Sequence, residues 1–126
     1  MENYWNNKKV LITGGCGFIG SSLAKDLVAN KSHVTIVDNL ERGKLEFVED
    51  IEKFITFIHG DLGDISFCKS VFNNTFDIVF HLASKVGGIG LYTQYPYTII
   101  QDMVRVDSNV LSCVIENSIK RYFYAS

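Results

Sequence analysis

Apolar residues along this chain gather in short runs, separated by longer stretches in which they recur every three or four positions. The runs are Val10-Leu11-Ile12, Val34-Thr35-Ile36-Val37, Phe54-Ile55-Thr56-Phe57-Ile58, Ile78-Val79-Phe80 and Tyr122-Phe123-Tyr124. Each is rich in β-branched or aromatic residues and short enough to be a strand buried on both faces. Between the first two, Ile19, Leu23 and Leu27 fall four apart with Ala24 and Val28 beside them. That spacing predicts a helix whose apolar stripe, Ile19 included, lies on a sheet. Met103, Val106, Val110 and Val114 predict a longer helix from about Thr98 to Asn117. Shorter helices are expected over 44–53 and 64–72.

Strands buried on both faces and alternating with helices imply an α/β fold. The expected form is a parallel sheet with right-handed crossovers, doubly wound, in strand order 3-2-1-4-5. No internal repeat, low-complexity tract or proline-rich linker interrupts the chain, and Pro96 is the only proline. A single domain over residues 1–126 follows, and 47% hydrophobic content suffices for its core.

Charge and cysteine content narrow the function classes. Twelve Lys and Arg against fourteen Asp and Glu give a net charge of −2, without the basic block that binds a phosphate backbone, so nucleic acid is not an expected partner. No apolar run approaches the ~20 residues that span a bilayer, and the first residues lack a signal-peptide core, so no membrane partner and a cytoplasmic location are expected. Cys16, Cys68 and Cys113 are odd in number and unpaired in spacing, which predicts reduced thiols used in packing and no metal site.

The first strand runs into Thr13-Gly14-Gly15-Cys16-Gly17-Phe18-Ile19-Gly20. Glycines between a strand and a helix allow a tight turn, backbone approach to a pyrophosphate and close helix–strand contact, while free amides at the helix start face the phosphates. Asp38 ends the second strand, 18 positions after Gly20. A carboxylate there accepts from ribose hydroxyls and repels a 2′-phosphate, favouring NAD over NADP, although Arg42 nearby is a residue type that accommodates the extra phosphate. Together these features predict a Rossmann-type NAD site, against the plainer readings of a tight structural turn and a solvated loop acid.

These motifs resemble the extended short-chain dehydrogenase/reductase family, in its NAD-dependent epimerase/dehydratase branch. The resemblance covers the whole chain through TGGCGFIG at 13–20, VDN at 37–39, GDL at 60–62, FHLAS at 80–84 and KRYFYAS at 120–126. It implies that Gly14, Gly17, Phe18, Ile19 and Gly20 bind the dinucleotide, that Asp38 and Asn39 hold the adenosine ribose, and that Asp61 and Leu62 hold the adenine. Leu82, Ala83 and Ser84 would line the nicotinamide ribose and phosphates. Lys85-Val86-Gly87-Gly88-Ile89-Gly90 looks like the glycine loop of GDP-fucose synthase and GDP-mannose epimerase relatives, which makes Gly87 and Gly88 candidate substrate residues and a nucleotide sugar the expected substrate.

On the residues alone, Asp61 could equally cap a helix turn, the glycine loop could be a simple turn, and His81 reads as a hydrogen-bonded core histidine without a catalytic role. Tyr92, Tyr95 and Tyr97 could stack on a ligand or pack beneath the loop. Many relatives carry Asn where Met103 stands. The family's catalytic Ser or Thr and its Tyr-x-x-x-Lys pair are expected beyond Ser126, and Tyr4-x-x-x-Lys8 precedes the first strand, out of reach of a nicotinamide. No catalytic residue is therefore expected within 1–126, and the domain is read as incomplete, without its substrate-binding part. The resemblance implies a full-length epimerase, dehydratase or reductase acting by transient hydride transfer with NAD, with a homodimer as its assembly. The alternatives are a dinucleotide-binding sensor or scaffold without chemistry, or a dehydrogenase of another small alcohol.

Overall fold

A computed structural model of the chain describes residues 3–84 and 89–125. Five parallel strands form one sheet: β1 (Lys9–Thr13), β2 (His33–Asp38), β3 (Ile55–His59), β4 (Ile78–His81) and β5 (Arg121–Tyr124). Their spatial order is β3-β2-β1-β4-β5, the doubly wound order expected. Because side chains alternate across a strand, each strand feeds two cores. Leu11, Val37 and Val79 point into one cluster, and Val10, Ile12, Val34, Ile36 and Ile78 into the other.

The second cluster is covered by α1 (Phe18–Ala29) and by a run of 3-10 turns over Leu45–Phe54. The first is covered by α2 (Ile65–Val71) and α4 (Pro96–Glu116), whose Cys68 and Cys113 meet with their sulfurs 3.6 Å apart as free thiols. A short α3 (Ile89–Gln94) precedes α4. Asp64 caps α2 by accepting from the amides of Ser66 and Phe67, and Pro96 opens α4 at a position where its missing N–H is not needed. Among the described residues, no helix is long and apolar enough to cross a membrane.

Four sequence expectations need correction. Ile19 does not join the apolar stripe of α1 and is 70% exposed. The helix lies so close to the first strand's turn that its buried side is made by Gly20, Ser21, Ala24 and Leu27, which leaves Ile19 outside. The third strand is displaced by one residue: Phe54 closes the 3-10 turns, exposed, and the strand runs on to His59. The segment expected as an ordinary helix over 44–53 is wound as 3-10, with only Val48 and Ile51 buried. The end of the glycine loop, Ile89-Gly90, belongs to α3. Gly87 and Gly88, with Lys85 and Val86, lie outside the described residues.

Candidate functional site

All five strands end on the same edge, and the loops leaving β1, β2, β3 and β4 there enclose a cleft of about 250 Å³ together with one side of α4. In doubly wound sheets this edge is where ligands bind, because the loops diverge and leave backbone groups unpaired. Gly14, Gly17, Asp38, Asn39, Asp61 and Leu62 line it. Leu82, Ala83 and Ser84 complete the facing wall. Nine of the predicted cofactor residues, from four loops, thus share one cleft. Phe18, Ile19 and Gly20 are not part of its lining. Phe18 is exposed like Ile19, and Gly20 is buried in α1 where a Cβ would overlap the Gly14 carbonyl oxygen.

Two glycines do different work in the first loop. Gly14 has φ of +71°, and a Cβ there would stand 2.8 Å from the Ala83 amide nitrogen, so the fold itself requires glycine at this turn. At Gly17 the backbone is extended and a Cβ would meet only the Gly14 carbonyl oxygen, at 3.3 Å. A side chain at Gly17 thus needs only a small shift of the Gly14 carbonyl, far less than one at Gly14, and would enter the cleft that Gly17 lines. Gly17 is also the N-cap of α1 and provides no side-chain cap, so the first-turn amides remain available to an outside acceptor.

Asp38 is 8% exposed and held from below. Its Oδ2 accepts from the Cys16 amide at 3.0 Å and its Oδ1 from the Leu40 amide at 2.8 Å. A carboxylate has about four acceptor positions, so two remain for hydroxyl donors in the cleft. The thiol of Cys16 beneath it is pushed up to about 11, by burial first and by the Asp38 charge second. In the β3 loop, Asp61 accepts from the Gly63 amide at 2.8 Å, a turn rather than a helix cap, since Asp64 caps α2. The Leu62 carbonyl is tied to α4 by the Asn109 amide nitrogen at 2.8 Å.

The β4 wall is held differently. The Ala83 amide donates to Thr13 Oγ1 at 3.1 Å, and the Leu82 amide divides its hydrogen between Thr13 Oγ1 and the Thr13 carbonyl. Thr13 Oγ1 lies 2.6 Å from His81 Nδ1, His81 Nε2 lies 2.7 Å from Asp107 Oδ1, and the Tyr124 hydroxyl donates to Asp107 Oδ2 at 2.9 Å. Burial lowers the His81 pKa, and the Asp107 hydrogen bond and charge oppose that shift only in part. His81 is thus a satisfied core histidine, as the sequence suggested.

Three lining residues of α4 had not been singled out as contacts: Asp102, Arg105 and Val106. For Asp102 and Arg105 the signal was present as polar positions beside the apolar stripe, and Val106 had been read only as a member of that stripe. Glu41 and Gly63 also line the cleft, beside motif residues that were recognised. Among the described residues, no cluster of three or more His, Cys, Asp or Glu could hold a metal ion.

The arrangement has known counterparts. UDP-arabinose 4-epimerase 1 of Arabidopsis thaliana is 36% identical over 124 residues, covering 93% of this chain and 29% of that protein. GDP-mannose 3,5-epimerase 1 of Oryza sativa subsp. indica is 33% identical, covering 99% of this chain and 32% of its own length. The chain therefore spans about a third of these relatives. Among solved structures, the epimerase Mth375 of Methanothermobacter thermautotrophicus superposes with a TM-score of 0.90 at 30% identity, over 98% of this chain and 36% of the other. The Bordetella bronchiseptica enzyme WbmH, solved in complex with NAD+, superposes with a TM-score of 0.81 at 28% identity, over 93% of this chain and 38% of WbmH. The model of the NAD-dependent epimerase/dehydratase family matches residues 10–126. This chain belongs to that family, whose named members here are nucleotide-sugar enzymes.

Proposed function

We propose that residues 1–126 are the NAD-binding portion of a nucleotide-sugar epimerase, dehydratase or reductase. The observation that carries this reading is one cleft flanked by a glycine turn at a helix N-terminus and by Asp38 with two acceptor positions unused. The residues fit the dinucleotide: the space above Gly17 is one that a side chain would fill, the uncapped amides of α1 suit a pyrophosphate, and Asp38 with Asn39 suits the adenosine ribose. NAD bound there supplies a hydride acceptor and donor for a sugar carbinol. The chain's own residues bind and orient. Backbone amides of Phe18, Ile19 and Gly20 face the phosphates, Asp61 and Leu62 flank the adenine, and Leu82 to Ser84 form the wall on the nicotinamide side. Gly87 and Gly88 are the proposed sugar-side loop. The acid and base that move the sugar proton are assigned to a part of the full-length protein outside residues 1–126.

The relatives' names support a nucleotide sugar with either a UDP or a GDP carrier. Three free thiols suit a reducing, cytoplasmic setting. A homodimer of the full-length protein is supported by α4, whose outer side exposes Tyr97, Ile100, Val104, Leu111 and Ile115 at near-heptad spacing.

Titration of the full-length protein with NAD and NADP tests the cofactor assignment. NAD is expected to bind more tightly, and Asp38→Ala to narrow the preference by removing both the ribose bonds and the repulsion of the 2′-phosphate. Tighter binding of NADP by the unmodified protein overturns the role given to Asp38.

A further inference from the structure

His81 is fully buried, yet both its ring nitrogens are committed, and each faces a group that leaves little choice of proton position. Asp107 stands at Nε2 and, as a carboxylate, can only accept. Its second oxygen already accepts from Tyr124. The imidazole proton of neutral His81 therefore sits on Nε2, and Nδ1 presents a lone pair to Thr13 Oγ1. The single hydroxyl proton of Thr13 goes to that lone pair. The lone pairs of Thr13 Oγ1 are then turned toward the Leu82 and Ala83 amides, which are the backbone of the cleft wall. One directional chain of hydrogen bonds runs from the wall through Thr13 and His81 to Asp107 on α4. It is met there by Tyr124 from β5, so three strands and a helix converge on the position of two amides.

We propose that His81 is a positioning residue for the dinucleotide: its Nε2-protonated neutral form, held by Asp107, makes Thr13 an acceptor and thereby sets the Leu82–Ala83 wall. This rests on the NAD-binding reading above. A second proton on His81 would reach Nδ1 and force the Thr13 hydroxyl to accept there, in competition with the Ala83 amide. Loss of the Asp107 carboxylate would free the imidazole to carry its proton on either nitrogen. Packing alone does not need this polarity, since an apolar side chain of similar size could fill the same space.

The test uses the full-length protein and two readouts. Nitrogen-15 NMR of the imidazole is expected to show His81 protonated at Nε2 and bare at Nδ1 near neutral pH, a result independent of cofactor. NAD titration is expected to show Asp107→Ala weakened about tenfold or more, the cost of a buried donor left without its acceptor. Asp107→Asn, whose amide oxygen can still accept from Nε2, should stay within about threefold of the unmodified protein. Thr13→Val should weaken binding and Thr13→Ser restore it. Asp107 is part exposed on α4, so its variants keep the test usable where a change at Thr13 prevents folding. A proton found on Nδ1, or Asp107→Ala binding NAD as tightly as the unmodified protein, overturns the proposal. Failure of the unmodified protein to bind NAD overturns instead the reading on which it rests, and leaves the tautomer measurement to decide the polarity of the chain.

Discussion

The two sides of the cleft are built by different means. On the side of β2 and β3, each acidic residue accepts from an amide two positions further along its own loop, Leu40 for Asp38 and Gly63 for Asp61, and Asp38 alone adds a longer-range bond, from the Cys16 amide 22 positions back. On the side of β4, the wall is fixed by one side chain, Thr13, 69 positions from Leu82 and 70 from Ala83, and then through His81 by Asp107, 26 positions further along. Local turns of the first kind form wherever the short motif occurs, because Asp with a neighbouring amide is a self-contained device. The second kind exists only when the whole sheet is assembled. One side therefore starts from local motifs and adds a few distant bonds, whereas the other depends on topology throughout.

The largest effect should come from the residue where the two sides touch. Gly14 lies against the Leu82–Ala83 backbone with positive φ, so Gly14→Val is expected to destabilise the protein by about 3 kcal/mol or more through strain and overlap. Gly17→Val, three positions on, should leave stability within about 1 kcal/mol, since nothing but the Gly14 carbonyl is near. It should nevertheless weaken NAD binding by about 100-fold. Chemical denaturation and NAD titration of the two variants in the full-length protein separate these outcomes. Equal loss of stability in both would show that the loop is a structural turn and nothing more.

Cys16 reports on the setting of Asp38. With its pKa near 11 against an ordinary 9.0, thiolate is about 100-fold scarcer at pH 8 than in the unfolded chain. Alkylation of Cys16 by iodoacetamide should be slower by at least that factor in the native protein. Asp38→Asn should speed it, because the carboxylate charge is one of the two causes. Rapid native-state alkylation would mean that the Asp38 turn opens readily.

The smallest effect concerns His81 and the long-range side. Asp107, Tyr122 and Tyr124 are the titratable groups facing its ring. In the unfolded chain its imidazole takes up a proton near pH 6.5, whereas the folded value is lower. Below 6.5 the unfolded state binds more protons. Stability from this group is complete above that pH and is lost as pH falls toward the folded value, at no more than about 1.4 kcal/mol per pH unit. Urea denaturation between pH 7.5 and 5.5, compared with His81→Gln, isolates the contribution. An identical slope in both proteins would show that His81 titrates alike in the folded and unfolded states.

The same contrast explains what the sequence revealed. The glycine turn and Asp38 were legible because each depends on a short pattern in a fixed local setting, and strand order because alternating buried strands and helices with right-handed crossovers leave few arrangements. Ile19 was misplaced because helical period alone does not say how closely a helix approaches its neighbour, and that distance was decided by Gly20 against Gly14. Phe18 and Ile19 matched the family motif but stand outside the cleft lining, so their proposed part is through backbone amides. The 3-10 winding of Leu45–Phe54 was hidden because its apolar positions fit either kind of helix. The partnership of His81 with Asp107 was invisible because it needs the register of β1 with β4 and the seating of α4 above them.

That register also sets a timetable for assembly. The central strand β1 is made before the other four described strands, and its Thr13 pairs across the sheet with His81, 68 residues later. At synthesis rates of roughly 5–20 residues per second, β1 would wait about 3–14 s for β4 after leaving the ribosome. Every strand pair described is parallel, so no hairpin can form in the meantime. Until then the apolar Val10-Leu11-Ile12 segment can pair only with β2, whose first partner to β1, His33, follows Lys9. The nascent chain thus spends those seconds as a half-sheet with an unsatisfied central edge, the stage at which a holding chaperone would have most to cover.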